Sequence, residues 1–221
     1  MQAVDAQLRA ALLEQLARRR ETLAAGAERV GWKLGVGERE SIGGSIAVGY
    51  LTSATRLEPD GTYRVEGLGV ELRADVELAV ELRGEVNPEA DAKLLREVIA
   101  GYAVALEIVD LAPVLAEAEA VVARNVFHRA VAIGPMRSKL PTESLRATAR
   151  VNGEVRETAQ AEIDLAERLL AAARILEAVG ERMIGDDVII TGSIVQIPIV
   201  AGDQIAADLG SLGSVRLRVL A

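Results

Sequence analysis

The segment Val70 to Leu82 alternates strictly. Leu72, Ala74, Val76, Leu78, Val80 and Leu82 fall on one side of an extended chain, and Glu71, Arg73, Asp75, Glu77, Ala79 and Glu81 fall on the other. A period of two sustained over that length commits the region to a long β-strand, because successive side chains of an extended backbone point to opposite faces. Downstream, Tyr102-Ala-Val-Ala-Leu-Glu-Ile-Val-Asp110 is apolar at almost every position, as expected of a strand covered on both faces. A chain carrying both must build a sheet with a substantial core around it.

The remaining punctuation fits a mixed architecture. From Asp5 to about Glu28, Leu8, Leu12, Leu16 and Leu23 recur at helical spacing, and Gly26 and Gly31 end the pattern. Short β-like runs follow, VGWKLGV, AVGYLTS, TRLEP and TYRVEGLGV, with a turn at Pro59-Asp60-Gly61. Short helices are predicted over Pro88 to Ile99 and Pro113 to Ala123, a strand over Ala130 to Gly134, and a longer helix over Ala161 to Val179. Asn152-Gly153 between Leu145–Val151 and Val155–Thr158 is the strongest hairpin signal. Three strands close the chain, Asp187 to Thr191, Gln204 to Leu209 and Val215 to Leu220. No repeat or linker is visible, so the expectation is a single α+β domain over 1–221, rich in antiparallel β, with an amphipathic helix over 1–29.

Charge and composition narrow the function. A formal net charge of −8 over 221 residues argues against nucleic acid and anionic membranes as partners, since both are bound through basic surfaces. The absence of cysteine removes disulfide scaffolds, thiolate zinc sites and cysteine nucleophiles. No apolar run is long enough for a membrane helix, and the N-terminus lacks the apolar core of a signal peptide, so a cytoplasmic address is expected. Only Lys33, Lys93 and Lys139 are lysines among 25 cationic residues.

Glu107 is the one charge inside YAVALEIV, and a buried carboxylate must be paired, protonated or metal-bound. A salt bridge to an arginine satisfies that as well as a metal does. Asp75 and Glu77, two apart on a strand, project to the same side. By spacing alone they read as the solvated face of an amphipathic strand; a third carboxylate from Glu107 on a neighbouring strand turns them into a site for a hard divalent cation. Lys33 sits beside the only tryptophan in Gly31-Trp-Lys-Leu-Gly35, either snorkelling to water or taking part in site chemistry. His128 is the only histidine, which excludes multi-histidine zinc sites; in Arg124-Asn-Val-Phe-His-Arg129 it reads as a loop or helix-end residue, or one lining a site. The glycine-rich stretches match no phosphate-binding pattern.

Taken together, GWKLG at 31–35, Asp75-Val-Glu77-Leu-Ala79, Ala105-Leu-Glu107-Ile-Val109 and the tail from Gly185 to Val219 resemble the fumarylacetoacetate hydrolase superfamily, in the branch of 2-keto-4-pentenoate hydratase and 4-oxalocrotonate decarboxylase. The resemblance implies a mixed, mainly antiparallel β-roll with peripheral helices, assembled into a homo-oligomer and possessing no nucleic-acid or membrane partner. It implies Mg²⁺ or Mn²⁺ on Asp75, Glu77 and Glu107, with aspartate at a position where the family usually has glutamate. It further implies Lys33 as the active-site lysine and a 2-oxo acid as substrate, with Arg124, Asn125, His128, Thr191 and Ser193 as the substrate-binding set. Hydration of a 2-keto-4-pentenoate-like dienol, or decarboxylation of an oxalocrotonate-like acid, would run through a dienolate. A complex with a pathway decarboxylase or hydratase fits the same branch. Ala47 stands where members commonly carry an acid, which also fits a non-catalytic partner of an active homologue. An acylpyruvate-type carbon–carbon hydrolase ranks lower, because Gly37 to Ser45 offers Glu38 and Glu40 but no histidine for a histidine–acid pair.

Overall fold

The computed structural model describes residues 6–35, 46–67, 70–112, 117–140 and 144–221. Helix α1 (Ala6–Ala24) leads into strands β1 (Arg29–Gly35) and β2 (Ala47–Thr52), a single 3-10 turn over Ser53–Thr55, then β3 (Arg56–Leu57), β4 (Thr62–Arg64) and the long β5 (Leu72–Leu82). Next come α2 (Ala92–Glu97), β6 (Ile99–Asp110), α3 (Ala118–Ala123), β7 (His128–Ile133), β8 (Leu145–Val151) and β9 (Glu154–Ala161). Helix α4 (Leu165–Glu177) and strands β10 (Val188–Pro198), β11 (Gln204–Asp208) and β12 (Ser214–Leu220) complete the order.

Seven strands form one sheet in the order β2-β1-β10-β5-β6-β7-β3, and five form a second in the order β4-β12-β11-β8-β9. Most neighbours run antiparallel; β1 with β10, β3 with β7 and β4 with β12 run parallel. β2 and β3 occupy opposite edges of the first sheet, although only the turn Ser53–Thr55 separates them in sequence. The two edges must therefore approach each other, and the sheet curls into a roll.

Curling gives the long strands an inner and an outer face. The outer face carries Val76, Leu78, Val80, Val104, Leu106 and Ile108, which join the main core with the second sheet, α1 and α4. Each such side chain withdrawn from water contributes about 2 kcal/mol. The inner face is lined by small or branched residues, among them Ala79, Ala103, Ala105, Val131 and Ile190. The acidic side of β5, consistent from sequence with a solvated face, is this inner face.

Helix α1 is fixed to the roll by polar contacts as well as by Leu12 and Leu16. The Gln15 amide donates to the Val48 carbonyl at 3.0 Å and to the Val122 carbonyl at 2.6 Å. The guanidinium groups of Arg19 and Arg29 lie over the ring of fully buried Trp32, 4.7 and 5.4 Å from its centroid. Its indole N–H donates to Asp187 at 3.1 Å, and Arg29 grips both oxygens of that carboxylate at 2.5 Å.

The predicted strands recur with altered bounds. β10 continues well past Thr191 to Pro198, because a register shift between Ile190 and Ser193 accommodates Gly192 within the strand. Helix α2 is shorter than Pro88 to Ile99, since Asp91 caps it, accepting from the backbone N–H groups of Lys93 and Leu94, and Ile99 already belongs to β6. Helix α4 starts only at Leu165, capped by Asp164, because β9 runs on to Ala161. The Asn152-Gly153 hairpin is present, with φ of 54° and 86° at its two turn residues. Residues 113–116 of the predicted Pro113 to Ala123 helix, and the segment holding Glu38 and Glu40, lie outside the described residues.

Candidate metal centre

β5 and β6 pair so that Asp75 stands directly opposite Glu107, while Glu77 faces Ala105. Directly opposed carboxylates repel at the short cross-strand separation, so this register persists only where positive charge or protons offset them. Among the described residues, Asp75, Glu77 and Glu107 are the group whose carboxylate oxygens come within 4.8 Å of one another. They are 5, 1 and 1 % exposed, and Lys33, brought in from β1, is 3 % exposed.

Each acid has a distinct environment. Glu107 Oε1 accepts from the Lys33 ammonium at 2.5 Å and lies 2.7 Å from His128 Nδ1. Burial opposes its charge, but the ammonium and the histidine more than offset that and hold the carboxyl below its ordinary range. Glu77 Oε2 accepts from the Gly192 backbone N–H at 2.7 Å. Gly192 has φ of 101°, which an L side chain adopts only with strain, and it lies within the β10 register shift that turns this N–H inward. Burial and then the Glu107 charge push Glu77 well above its ordinary value. The same two causes push Asp75 up to about 7, while the side chains of Gln196 and Ser193 favour its ionised form. Asp75 Oδ1, although buried, has no hydrogen-bond partner among the described residues.

Fully ionised, the group holds three negative charges against one ammonium. A buried carboxylate oxygen without a partner is costly. Both observations fit a divalent cation, and hard oxygens gathered within a few ångströms are the donors that Mg²⁺ and Mn²⁺ prefer.

The segment after α3 braces the centre. Asn125, Val126 and Phe127 have φ of 56°, 53° and 63°, three successive side-chain-bearing residues in the left-handed region. Each costs about 1–2 kcal/mol. The conformation presents the Val126 carbonyl to the Lys33 ammonium at 2.9 Å. It also lets the Asn125 amide accept from the Tyr50 N–H at 2.7 Å and donate to the Tyr50 carbonyl at 3.0 Å, as a neighbouring strand would. Asn125 thus closes part of the seam beside β2.

The structure gathers Lys33, Asp75, Glu77 and Glu107 in one place, and it sets Ser193 opposite Glu77 on β10. It gives Asn125 to Tyr50, and commits the Thr191 hydroxyl to the Leu78 carbonyl at 3.0 Å. The Thr191 carbonyl is held in turn by Arg168 of α4 at 2.6 Å, which steadies the β10 shift from behind. Arg124 is exposed at the rim of an outer cleft of about 560 Å³, with Tyr50, Thr52, Thr55 and Arg129 in its walls. His128 sits between that cleft and Glu107. Sequence reasoning did not single out Gly192, Gln196, Thr55 or Arg168; a glycine inside an apolar strand run was the one available signal.

The fumarylacetoacetate (FAA) hydrolase C-terminal family model matches residues 46–220. No curated protein matches the sequence. Among solved structures, 4-oxalocrotonate decarboxylase from Pseudomonas putida G7, complexed with magnesium and adipate, superposes with a TM-score of 0.86 at 23% identity, covering 95% of this chain and 85% of that one. The same enzyme complexed with calcium and acetate gives the same values. A 2-hydroxyhepta-2,4-diene-1,7-dioate isomerase from Mycobacterium marinum superposes with a TM-score of 0.68 at 18% identity, over 88% of this chain and 75% of that one. With the curled mixed sheet, the buried acidic group and a family match over residues 46–220, the chain belongs to the fumarylacetoacetate hydrolase C-terminal family.

Proposed function

We propose that this chain is a divalent-metal-dependent lyase acting on a 2-oxo acid, with hydration of a 2-keto-4-pentenoate-like dienol ahead of decarboxylation of an oxalocrotonate-like acid. The observation that carries the reading is the burial of Asp75, Glu77 and Glu107 within 4.8 Å of one another around a single ammonium. These three residues would hold Mg²⁺ or Mn²⁺, which supplies Lewis-acid stabilisation of negative charge on a keto oxygen. The decarboxylase with a similar fold was crystallised with magnesium or calcium, which supports a divalent ion here.

Lys33 supplies the mobile proton. An ammonium has three N–H donors, of which one goes to Glu107 and one to the Val126 carbonyl, so the third has no partner among the described residues. It can donate to an enolate oxygen or pass a proton to the neighbouring carbon. Walls of alanine, valine and isoleucine keep the inner face poor in water, which strengthens each charge interaction made there.

Incubation with a panel of 2-oxo acids and Mg²⁺ or Mn²⁺ tests the proposal. Loss of dienol absorbance without release of carbon dioxide identifies a hydratase; stoichiometric carbon dioxide identifies a decarboxylase. Absence of both, in protein that binds the ion, removes the lyase reading. One feature favours a second reading: Ala47, paired with Gly35 beside the Val126 side chain, leaves this part of β2 without an acid. A non-catalytic partner subunit would bind Mg²⁺ yet turn over substrate only after an active homologue is added. Homo-oligomer formation, expected under either reading, is checked by light scattering.

A further inference from the structure

His128 lies against the outer cleft with its ring packed inward. Its side chain is 2 % exposed, and both ring nitrogens have partners: Nδ1 lies 2.7 Å from Glu107 Oε1, and Nε2 lies 2.9 Å from Thr55 Oγ1. Nδ1 faces a carboxylate oxygen and therefore carries a hydrogen. With Nδ1–H directed at the carboxylate, the neutral form of the ring has a lone pair at Nε2 that calls for a donor opposite it. Thr55 is that donor, because the other acceptor within reach of its hydroxyl, the Thr52 carbonyl, stands farther off at 3.4 Å.

Glu107 Oε1 also accepts from Lys33, so two N–H groups converge on one oxygen, while no hydrogen bond to Oε2 is made among the described residues. The strained residues Asn125, Val126 and Phe127 directly precede His128 and place the Val126 carbonyl on the same ammonium. Backbone strain concentrated beside one carboxylate marks a place where orientation matters.

We infer that His128, oriented by the Thr55 hydroxyl, is a positioning residue for the metal centre: it pins Oε1 of Glu107 so that the other oxygen is presented to the ion, and it does not bind substrate. The inference rests on the reading of Asp75, Glu77 and Glu107 as a metal site. Thr55, on the turn that joins the two edges of the roll, thereby couples closure of the sheet to the geometry of a ligand on β6.

The experiment joins metal calorimetry to nitrogen NMR, with no substrate present. Because the chain has one histidine, a long-range proton–nitrogen spectrum reports that ring alone. The wild type is expected to show the neutral ring with hydrogen on Nδ1, and Thr55→Val is expected to lose that single-tautomer signature. His128→Leu should weaken Mg²⁺ and Mn²⁺ binding about 10–100-fold, the range for loss of a residue that orients a ligand. His128→Asn, whose amide nitrogen replaces Nδ1, should recover most of that loss. A wild-type ring carrying its hydrogen on Nε2 overturns the Thr55 assignment. Wild-type metal affinity in folded His128→Leu overturns the positioning role; should His128→Leu not fold, an affinity in His128→Asn no better than in a Glu107→Gln control does the same. A wild type that binds neither ion, while the ring still shows the Nδ1 tautomer, fails the metal reading and leaves the hydrogen-bond chain intact, so the two failures are distinct.

Discussion

Replacing Asp75 by asparagine should stabilise the metal-free protein, and by an amount that depends on pH. Burial and the nearby Glu107 charge push the folded-state pKa of Asp75 up to about 7, from its ordinary value of 3.8. Between those values the native state holds a proton that the unfolded chain has released. Stability contributed by this carboxyl is therefore present in acid and is lost as pH rises toward 7, at about 1.4 kcal/mol per unit. Over roughly three units the loss approaches 4 kcal/mol. Asparagine keeps the shape and cannot ionise, so the stability of Asp75→Asn relative to wild type should grow by up to about 4 kcal/mol from pH 4 to 7.5 and then level off. Glu77 feels the Asp75 charge, so part of the difference is read out through the shared titration of the acidic group. Urea unfolding at half-unit pH intervals in a chelator measures it. With magnesium at 100 times its dissociation constant the wild type should regain about 2.7 kcal/mol, and the variant much less. A difference that stays flat across pH 4 to 7.5 would show that Asp75 carries no extra proton, and would refute the electrostatic account of the centre.

Other outcomes follow from the same contacts. Glu107→Gln should abolish measurable Mg²⁺ binding by calorimetry, and should destabilise the fold by about 3–5 kcal/mol because the buried Lys33 ammonium loses the negative charge that balances it. Lys33→Met should lower turnover far more than it weakens metal binding; equal losses would mark Lys33 as structural. Asp187→Ala, far from the acids in sequence, leaves Arg29, the Trp32 indole and the Ile184 N–H without their acceptor. A loss of about 3–5 kcal/mol in chemical unfolding is expected, with Trp32 fluorescence reporting the looser packing. Gly192→Ala should weaken metal binding as well as stability, because side-chain strain at φ of 101° moves the N–H that holds Glu77.

Local pattern carried the elements and lost the closure. The alternation of β5 defines its two faces correctly, but a period of two is the same whether the polar side meets water or the inside of a roll. That is why Asp75 and Glu77 read as solvated from spacing alone, although they are buried. What distinguishes the cases is the adjacency of β2 and β3 in sequence and their separation across seven strands, a relation no window of residues contains. A weaker cue lay in Ala79, Ala103 and Ala105, small residues on the same faces as the acids, which leave room in the narrow interior. Glu107 was legible for a different reason: one charge in a run of apolar residues demands compensation wherever the strand lies. The identity of its compensators was not legible, since Lys33 and His128 come from 74 residues before it and 21 after it, by separate strands.

The closure accounts for the chemistry as well as the shape. An open sheet would leave three carboxylates in water, where each keeps an ordinary pKa and binds a divalent ion weakly. Rolling the sheet removes that water and makes their mutual repulsion the dominant local force, with protons or a cation as the means of relief. The roll must then be held against the repulsion it creates. At its seam the Asn125 amide takes both backbone groups of Tyr50, and the His128 ring bridges Thr55 to Glu107. Both come from a segment wound against its backbone preference beside β2. A cation that relieves the repulsion should therefore also tighten the seam. The expected sign is slower hydrogen exchange at the Tyr50 N–H, which is bonded to Asn125 rather than to any acid, when Mg²⁺ is added; unchanged exchange there, with metal bound, would separate the centre from the closure of the fold.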